Sequence, residues 1–505
     1  MNPLVIAPVL LPLLAGTLLL LLRGTLSLRV RRGLNLTLVA IQILLAAALL
    51  MTVSEGDILI HTLGNWPAPY GIVLVADRLA VWMLLVTAIL AWFALLFAVR
   101  GTDQGSRHFH PLFQLQLFGL NGAFLTGDLF NLFVFFEILL LASYGLLLHG
   151  GGARRTRAGL HFVALNLAGS ILFLFAAGTF YGTLGTLNMA DLAVKIAAVP
   201  PENLGLVRAA GLLLFGVFAL KAALIPLHLW LPAAYSSTSA PVAALFAIMT
   251  KVGAYCLLRV GTLIFGEDAG PVANLYTGWL LPLALITLIV GALGALSATE
   301  LRRQIAYLVV VSVGLLLTAF GLGTPAAIGA GLYYLAHATF AAAALFLLAD
   351  IVAGGRGASL DRLTPGPAIP RAGLIGGLFF VTAVLIAGLP PLSGFLGKFL
   401  VLKAALADPA WPWAMGLVLT SGLLGMIALT RSGSLLFLRA DGRSGATPAS
   451  AGDLAPVAGL LALCLALTIW AGPILGLAQA AAEQVLRPQT YIQAVLGPTT
   501  RTEHR

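Results

Sequence analysis

Charged residues are scarce in this sequence. Asp, Glu, Lys and Arg make up 9% of its 505 residues, where a soluble domain carries roughly 25%. Hydrophobic residues make up 60%, and the mean hydropathy is +1.02. That excludes a soluble globular protein, and apolar runs of this length cross a bilayer as helices. Cysteine is scarce too. Cys256 and Cys464 each stand alone in an apolar run. There is no disulfide framework, no CxxC pair and no spacing for zinc or an iron–sulfur cluster. No metal is therefore expected, and with no Rossmann or Walker glycine pattern no nucleotide cofactor is expected either, so any drive must come from an ion gradient or partner subunits. The net charge of +10 comes from arginine in the connections and does not point to nucleic acid. Long connections are missing as well: the two longest, about 53–76 and 182–207, are too short for a soluble domain.

What is present is fourteen apolar spans, near 3–22, 33–52, 77–99, 109–126, 128–149, 159–181, 208–235, 240–263, 276–297, 303–322, 326–350, 372–403, 411–437 and 454–480. The expected fold class is all-α and polytopic, a single membrane domain over 1–505. The first span reads as a retained helix. Its first basic residue, Arg23, follows the apolar run, whereas a signal peptide has its basic residues before it. Lys and Arg in short connections mark the cytoplasmic side. Odd-numbered connections hold seventeen, Arg23, Arg154, Arg155, Arg157 and Arg443 among them, and even-numbered ones hold four: Arg78, Lys195, Arg208 and Lys403. Odd connections are therefore expected in the cytoplasm and both termini outside, with Arg487, Arg501 and Arg505 in the tail.

The chain has only five lysines, and Lys221, Lys251 and Lys398 lie within spans. Arginine serves the connections; lysine, a cation able to release its proton when buried, is kept for the interior. Glu137 is the matching acid, set among Leu, Phe, Val and Ile nine residues past Asp128. That is about 13 Å along a helix, near mid-depth. A charge there costs roughly 2.5–3.5 kcal/mol. Burial favours the protonated form of a carboxyl and a nearby cation favours the ionised form, so a glutamate held between the two can load and release a proton. A structural ion pair locking two helices is the competing reading. Lys251 shares a helix face with Tyr255, one turn on. Arg259 is nearer the end of its span and is expected to snorkel. His337 follows Tyr333 and Tyr334 and reads either as a proton relay or as a hydrogen-bonded core histidine.

Two spans contain breaks. Lys221 is followed by Pro226, His228, Pro232 and a hydroxyl run from Ser236 to Ser239; Lys398 is preceded by Pro390, Pro391, Ser393 and Gly394. Proline removes a backbone donor, and such breaks persist in membranes only inside protein or beside water. His228, just past the first break, reads as a packing residue or a relay. No mid-span acid exists except Glu137, and Lys398 is expected to rely on water admitted at its break. Lys403, closer to an end, is the snorkelling residue. Interruptions in two corresponding halves point to an inverted-repeat transporter, with units at 109–263 (helices 4–8) and 276–437 (helices 9–13).

The strings FVFFEILLLASY, ALKAALIPLHLWLPAAYSSTSAPVAALF, ELRRQIAYLVVVSVG and GLPPLSGFLGKF resemble the antiporter-like subunits shared by respiratory complex I and the multisubunit Mrp-type Na+/H+ antiporters, over about residues 60–440. Within that family the chain is most similar to the D-subunit branch, through Trp66-Pro67-Ala68-Pro69 ahead of Asp77. The resemblance implies fourteen helices, two inverted five-helix repeats and a mid-membrane axis of Glu137, Lys221, Lys251, His337 and Lys398. It implies proton translocation in a hetero-oligomeric monovalent cation (Na+)/H+ antiporter of the cell membrane. Partners would be other subunits, protons, monovalent cations and lipid, without nucleic acid or cofactor. In the implied mechanism Glu137 and Lys221 form a pair. Closing it lets Lys251 take a proton; opening it drives that proton toward Lys398, since two lysine charges ~7 Å apart repel by about 2.4 kcal/mol at an effective dielectric of about 20. Val309 to Val311 stand where many relatives have more hydroxyls. The alternatives are a proton-pumping subunit of a redox-driven complex I or membrane hydrogenase, which would use the same axis, and a passive scaffold, which leaves three mid-depth lysines without a task.

Overall fold

A computed structural model of the chain describes residues 2–22, 24–439 and 448–497. Arg23, Arg443, Arg501 and Arg505 lie outside the described residues. The chain begins with α1 (Pro3–Leu21) and α2 (Leu28–Val53), then a short antiparallel hairpin of β1 (Leu59–Thr62) and β2 (Val73–Ala76). Next come α3 (Arg78–Ala98), α4 (Phe109–Leu125), α5 (Leu129–Leu147), α6 (Ala153–Leu184) and the connecting helix α7 (Met189–Ala197). The seventh crossing is α8 (Leu204–Ala222) with α9 (Trp230–Ser237), and the eighth is α10 (Ala240–Phe246) with α11 (Met249–Leu263). Then follow α12 (Thr277–Ser297), α13 (Leu301–Gly321) and α14 (Pro325–Arg356). The twelfth crossing is α15 (Ala372–Ala387) with α16 (Ser393–Ala405), followed by α17 (Trp411–Gly433). The last span is α18 (Ala451–Ile469) with α19 (Ala471–Val485), and α20 (Pro488–Leu496) ends the described chain.

Twelve of these helical segments are long and apolar enough to cross a membrane. With α4, of 17 residues, and the broken pair α15–α16, they make the fourteen crossings read from the apolar runs. Three differences have physical causes. The span at 454–480 turns at Trp470, because 35 residues of straight helix from α18 through α19 would be about 52 Å long, well beyond a bilayer core. The span at 240–263 is interrupted at Ala247 and Ile248, with no proline or glycine to announce it. The two longest connections are ordered: the hairpin and α7 pair backbone groups that would otherwise be left open.

Ion pairs show which connections share a face. Arg32 meets Asp103, Arg100 meets Asp453 and Arg154 meets Glu300, all from odd-numbered connections. On the opposite face Asn2 N donates to Ile60 O, Arg78 donates to the carbonyls of Val53 and Ser54, and Gln489 donates to Asp268. The described ends of the chain therefore lie on the same face as the even connections.

Every residue in the most apolar window of the α10–α11 segment is buried, and 94% of that of α14; for α6 the figure is 39%. The first two form an inner column, and α6 turns much of its side outward. One turn device occurs on both faces. Asp128 precedes α5, where Leu129 N donates to Leu187 O at 2.8 Å; Glu300 precedes α13, where Leu301 N donates to Asp361 O at 2.8 Å. The helices it joins, α4–α5 and α12–α13, are the first pair of each proposed unit.

Away from these elements, α1, α2 and α4 are tied by amides. Pro12 in α1 lacks the N–H that would bond the Pro8 carbonyl. Asn121 Nδ2 takes that carbonyl at 2.8 Å and also donates to Gln42 Oε1 at 3.1 Å. Gln42 donates to Gln114, Gln114 to Asn35, and Asn35 meets His110 Nδ1 at 2.8 Å. His110 Nε2 ends the chain on Asp103 Oδ2 at 3.2 Å. Two hydrogen bonds of 2.6 Å from Arg32 and the His110 contact offset the burial of Asp103 and hold its carboxyl down at about 2.

Candidate functional site

All three interior lysines stand beside a helix interruption. Lys221 is the penultimate residue of α8, Lys251 the third of α11 and Lys398 the sixth of α16. An interrupted helix exposes backbone groups that the bilayer cannot satisfy, so it must lie within the protein, and each lysine is placed where polar groups are already present.

At the α8–α9 break Ala223 is left-handed, with φ 59°. Trp230 Nε1 caps the Leu220 carbonyl at 3.0 Å, and Thr287 Oγ1 accepts from Ile225 N at 3.1 Å. The Lys221 ammonium turns away from the break. It donates to Asn166 Oδ1 on α6 at 3.2 Å and lies 5.6 Å from the centre of the Phe136 ring. The expected Glu137–Lys221 pair is therefore not closed here. Glu137 is near enough to act electrostatically on Lys221, but its Oε1 is buried without a hydrogen-bond partner. The residue that sequence reasoning missed is Asn166; its only signal is an amide inside an apolar span. His228 lies in the same break, buried, with Nδ1 unpartnered. Pro226 is in the break, whereas Pro232 is within α9.

Lys251 is fully buried, and its Nζ makes no hydrogen bond to any of the described residues. On the same crossing, Thr250 Oγ1 beside it in the chain and Ser239 Oγ at the start of α10 are buried and equally unpartnered. The helices carrying the first two lysines touch: a Cβ on Gly253 would stand 2.3 Å from Ala222 N and 2.7 Å from Lys221 C. Glycine is required there by this approach, which sets Lys221 and Lys251 on either side of one helix crossing.

Two corrections concern this crossing. Tyr255 does not serve Lys251: its hydroxyl donates to Phe124 O at 2.7 Å and meets Arg259 Nε at 3.4 Å. Arg259 does not snorkel. It is 5% exposed and forms an ion pair with Asp77 at 2.6 Å, its guanidinium lying 5.2 Å from the ring centre of Tyr491. Position along the span could not reveal a partner 182 residues away.

The second break shows the clearest construction. Pro390 and Pro391 lack the N–H groups that would bond the carbonyls of Ile386 and Ala387. Lys398 Nζ donates to both, at 3.1 and 2.7 Å. Direct carbonyl contact, which the sequence reading did not include, thus holds the Lys398 ammonium. Gly388 has φ 78°, a backbone conformation that favours glycine, and a Cβ there would displace the Lys398 side chain, whose Cδ would stand 2.6 Å away. His337, on α14, bonds Ser393 Oγ through Nδ1 at 2.9 Å, and its ring centre is 5.7 Å from that of Tyr334. Tyr333 points elsewhere, donating to Leu467 O at 2.9 Å. His337, Lys398, Tyr334, Ser312 and Ser421 line one cavity of about 30 Å³. Ser312 places a hydroxyl immediately after the Val309–Val311 run.

The arrangement brings Lys221 and Lys251 to one crossing, and His337 and Lys398 to one cavity. Interior ionisable groups, with Glu137 Oε1, His228 Nδ1 and Lys251 Nζ left unpartnered, suit proton transfer. The family model for the NADH:quinone oxidoreductase/Mrp antiporter transmembrane region matches residues 126–425. This chain belongs to that family. The match contains Glu137, Lys221, Lys251, His337 and Lys398, while the amide chain of α1, α2 and α4 falls before it. As a member of the NADH:quinone oxidoreductase/Mrp antiporter family, the chain is 41% identical to the probable K+/H+ antiporter D subunit of Rhizobium meliloti, over 98% of each chain. It is 38% identical to the Na+/H+ antiporter D subunit of Bacillus subtilis, over 98% of this chain and 100% of that one. Among solved structures it resembles a chain of the Mrp complex from Dietzia sp., with a TM-score of 0.88 and 29% identity, covering 98% of this chain and 100% of the other.

Proposed function

We propose that this chain is the D-type, proton-translocating subunit of a multisubunit monovalent cation/H+ antiporter. The observation that carries the reading is the placement of three interior lysines, two buried and Lys398 half-buried, each beside a helix interruption, in a chain similar end to end to antiporter D subunits. Glu137 and Lys221 form a switch that opens and closes. Asn166 holds the lysine when the switch is open. Lys251 receives a proton when Lys221 is drawn away and yields it toward His337 and Lys398 when Lys221 returns. Residues 109–263 and 276–437 are the two inverted repeats, a reading supported by the matched turn devices on opposite faces. His228 and the hydroxyls of α9 lie on the approach to Lys221. The arginine-rich face is cytoplasmic and both termini are external, in the cell membrane. The other subunits of the complex are its partners.

The test is cation-driven proton movement in everted vesicles lacking native antiporters, with the whole complex expressed. Glu137→Gln should abolish antiport with the complex intact, and Glu137→Asp should retain part of it. Normal transport by the Gln variant would make Glu137 a packing residue. Orientation is tested by single cysteines at 154 to 157, which should label only from the cytoplasmic side. A redox-driven pump subunit is the second reading, favoured by a family description that spans both kinds of complex. It predicts proton movement on electron input and none on a cation gradient.

A further inference from the structure

We infer that the broken end of α15 is a binding site for one largely dehydrated monovalent cation, and that the Lys398 ammonium occupies it in this structure. The inference rests on the reading of Lys398 as a charge on the proton axis, and it names what competes with that charge.

The site is built by the two prolines. Their missing N–H groups leave two adjacent carbonyls, Ile386 and Ala387, open at the C-terminal end of a 16-residue helix. That end carries the negative pole of the helix dipole. Open carbonyls at half-helix C-termini coordinate Na+ in membrane transporters, and carbonyl oxygens replace the hydration shell of K+. Here they already hold a cation of comparable size, a primary ammonium at 2.7 and 3.1 Å.

Further oxygens face the same cavity. Ser312 Oγ donates to Val309 O at 2.8 Å and Ser421 Oγ donates to Val418 O at 2.9 Å. Each hydroxyl has spent its proton on its own helix and keeps its lone pairs for a cation. The cavity of about 30 Å³ beside the ammonium has room for about two waters, or for the ammonium once it leaves the carbonyls. On α17, Gly422 preserves that room: a Cβ there would stand 3.8 Å from Lys398 Nζ and 3.9 Å from Ala387 O. Among the described residues no carboxylate lines the cavity, so it suits a single positive charge and offers a divalent ion nothing to neutralise it. The α8–α9 break is built otherwise. The indole of Trp230 and the hydroxyl of Thr287 close it with neutral groups, while the α15–α16 break is closed by a movable charge. Ion and ammonium therefore exclude each other at one pair of oxygens, and an arriving ion pushes Lys398 off the carbonyls.

Equilibrium binding of radioactive Na+ and Rb+ to the purified complex, without a gradient, tests this. It needs no transport, so it stands apart from the Glu137→Gln experiment. Lys398→Met removes the tethered competitor and should tighten binding of one ion per complex by about tenfold or more. Ser312→Ala with Ser421→Ala, mild changes in an otherwise unaltered chain, should weaken that ion by about tenfold. The same pair placed in the Met variant should remove the gain. Binding that is unchanged in the intact Lys398→Met complex overturns the proposal. If that variant does not assemble, unchanged binding in the double serine variant overturns it equally.

Discussion

The Lys221 ammonium donates a hydrogen bond to the amide oxygen of Asn166, 3.2 Å away, while Glu137 stands close by without a hydrogen-bond partner on Oε1. A neutral amide solvates the cation without neutralising it. The lysine keeps its charge for a neighbour across the helix crossing, and the carboxylate remains free to compete for it.

Replacing Asn166 should therefore disturb transport more than folding. Asn166→Leu removes the open-state partner and should lower antiport by about tenfold, since a hydrogen bond to a charged group contributes about 1.5–3 kcal/mol. Asn166→Asp puts a carboxylate at the lysine and should also lower it, by trapping the charge. Initial rates in everted vesicles at matched complex levels provide the measurement. An unaltered rate in the Leu variant would show that the contact is incidental.

At Lys398 the decisive comparison is with arginine. Guanidinium retains its proton at any physiological pH. Lys398→Arg should abolish antiport although the charge is kept, and Lys398→Ala should abolish it as well. Full activity with arginine across pH 7 to 9 would exclude proton transfer at this residue.

The Asp77–Arg259 pair is buried, with side chains 2% and 6% exposed. Arg259→Ala strands a carboxylate and should cost about 3–5 kcal/mol; Arg259→Lys, which keeps the charge, should cost less. Thermal melting of the purified complex reads both. If the Ala variant melts with the parent, the pair contributes nothing to stability.

Asp103 makes a prediction with a definite sign. Its carboxyl is held at about 2, below the ordinary 3.8, because the Arg32 and His110 hydrogen bonds outweigh burial. A lowered carboxyl stabilises fully above its unfolded value and loses that contribution as pH falls through its folded value. Asp103→Asn should lower the melting temperature throughout the range from pH 7 to about pH 4, where the carboxyl is ionised. The difference should narrow from about pH 4 toward about pH 2. A difference that grows between about pH 4 and about pH 2 would contradict the assignment.

The crossings were legible because apolar runs report the bilayer directly. The two proline breaks were legible because proline cannot donate, and Pro390 and Pro391 even foretell which carbonyls, Ile386 and Ala387, stay open. What fills them was not: Lys398 reaches back 11 and 12 residues across a turn, and only the folded path shows that geometry. The interruption at Ala247 and Ile248 carries no breaker residue, so nothing in the local sequence announces it. Asn166, Ser312 and Ser421 are ordinary residue types in apolar spans; their importance comes from what stands opposite. The same limit misled the reading of Arg259. Depth along one helix says nothing of a carboxylate that caps another, as Asp77 does for α3 through Ala80 N at 2.9 Å.

The Arg259 site also has a history in time. Asp77 leaves the ribosome first, Arg259 follows 182 residues later, and Tyr491 comes later still. A nascent chain halted between the first two carries an acid whose counter-charge has not been made. One halted before α20 has the charges but not the aromatic ring that lies over the guanidinium. Neither fragment has a finished interior: the α3 cap at Asp77 and the guanidinium of Arg259 are each completed by residues synthesised after them.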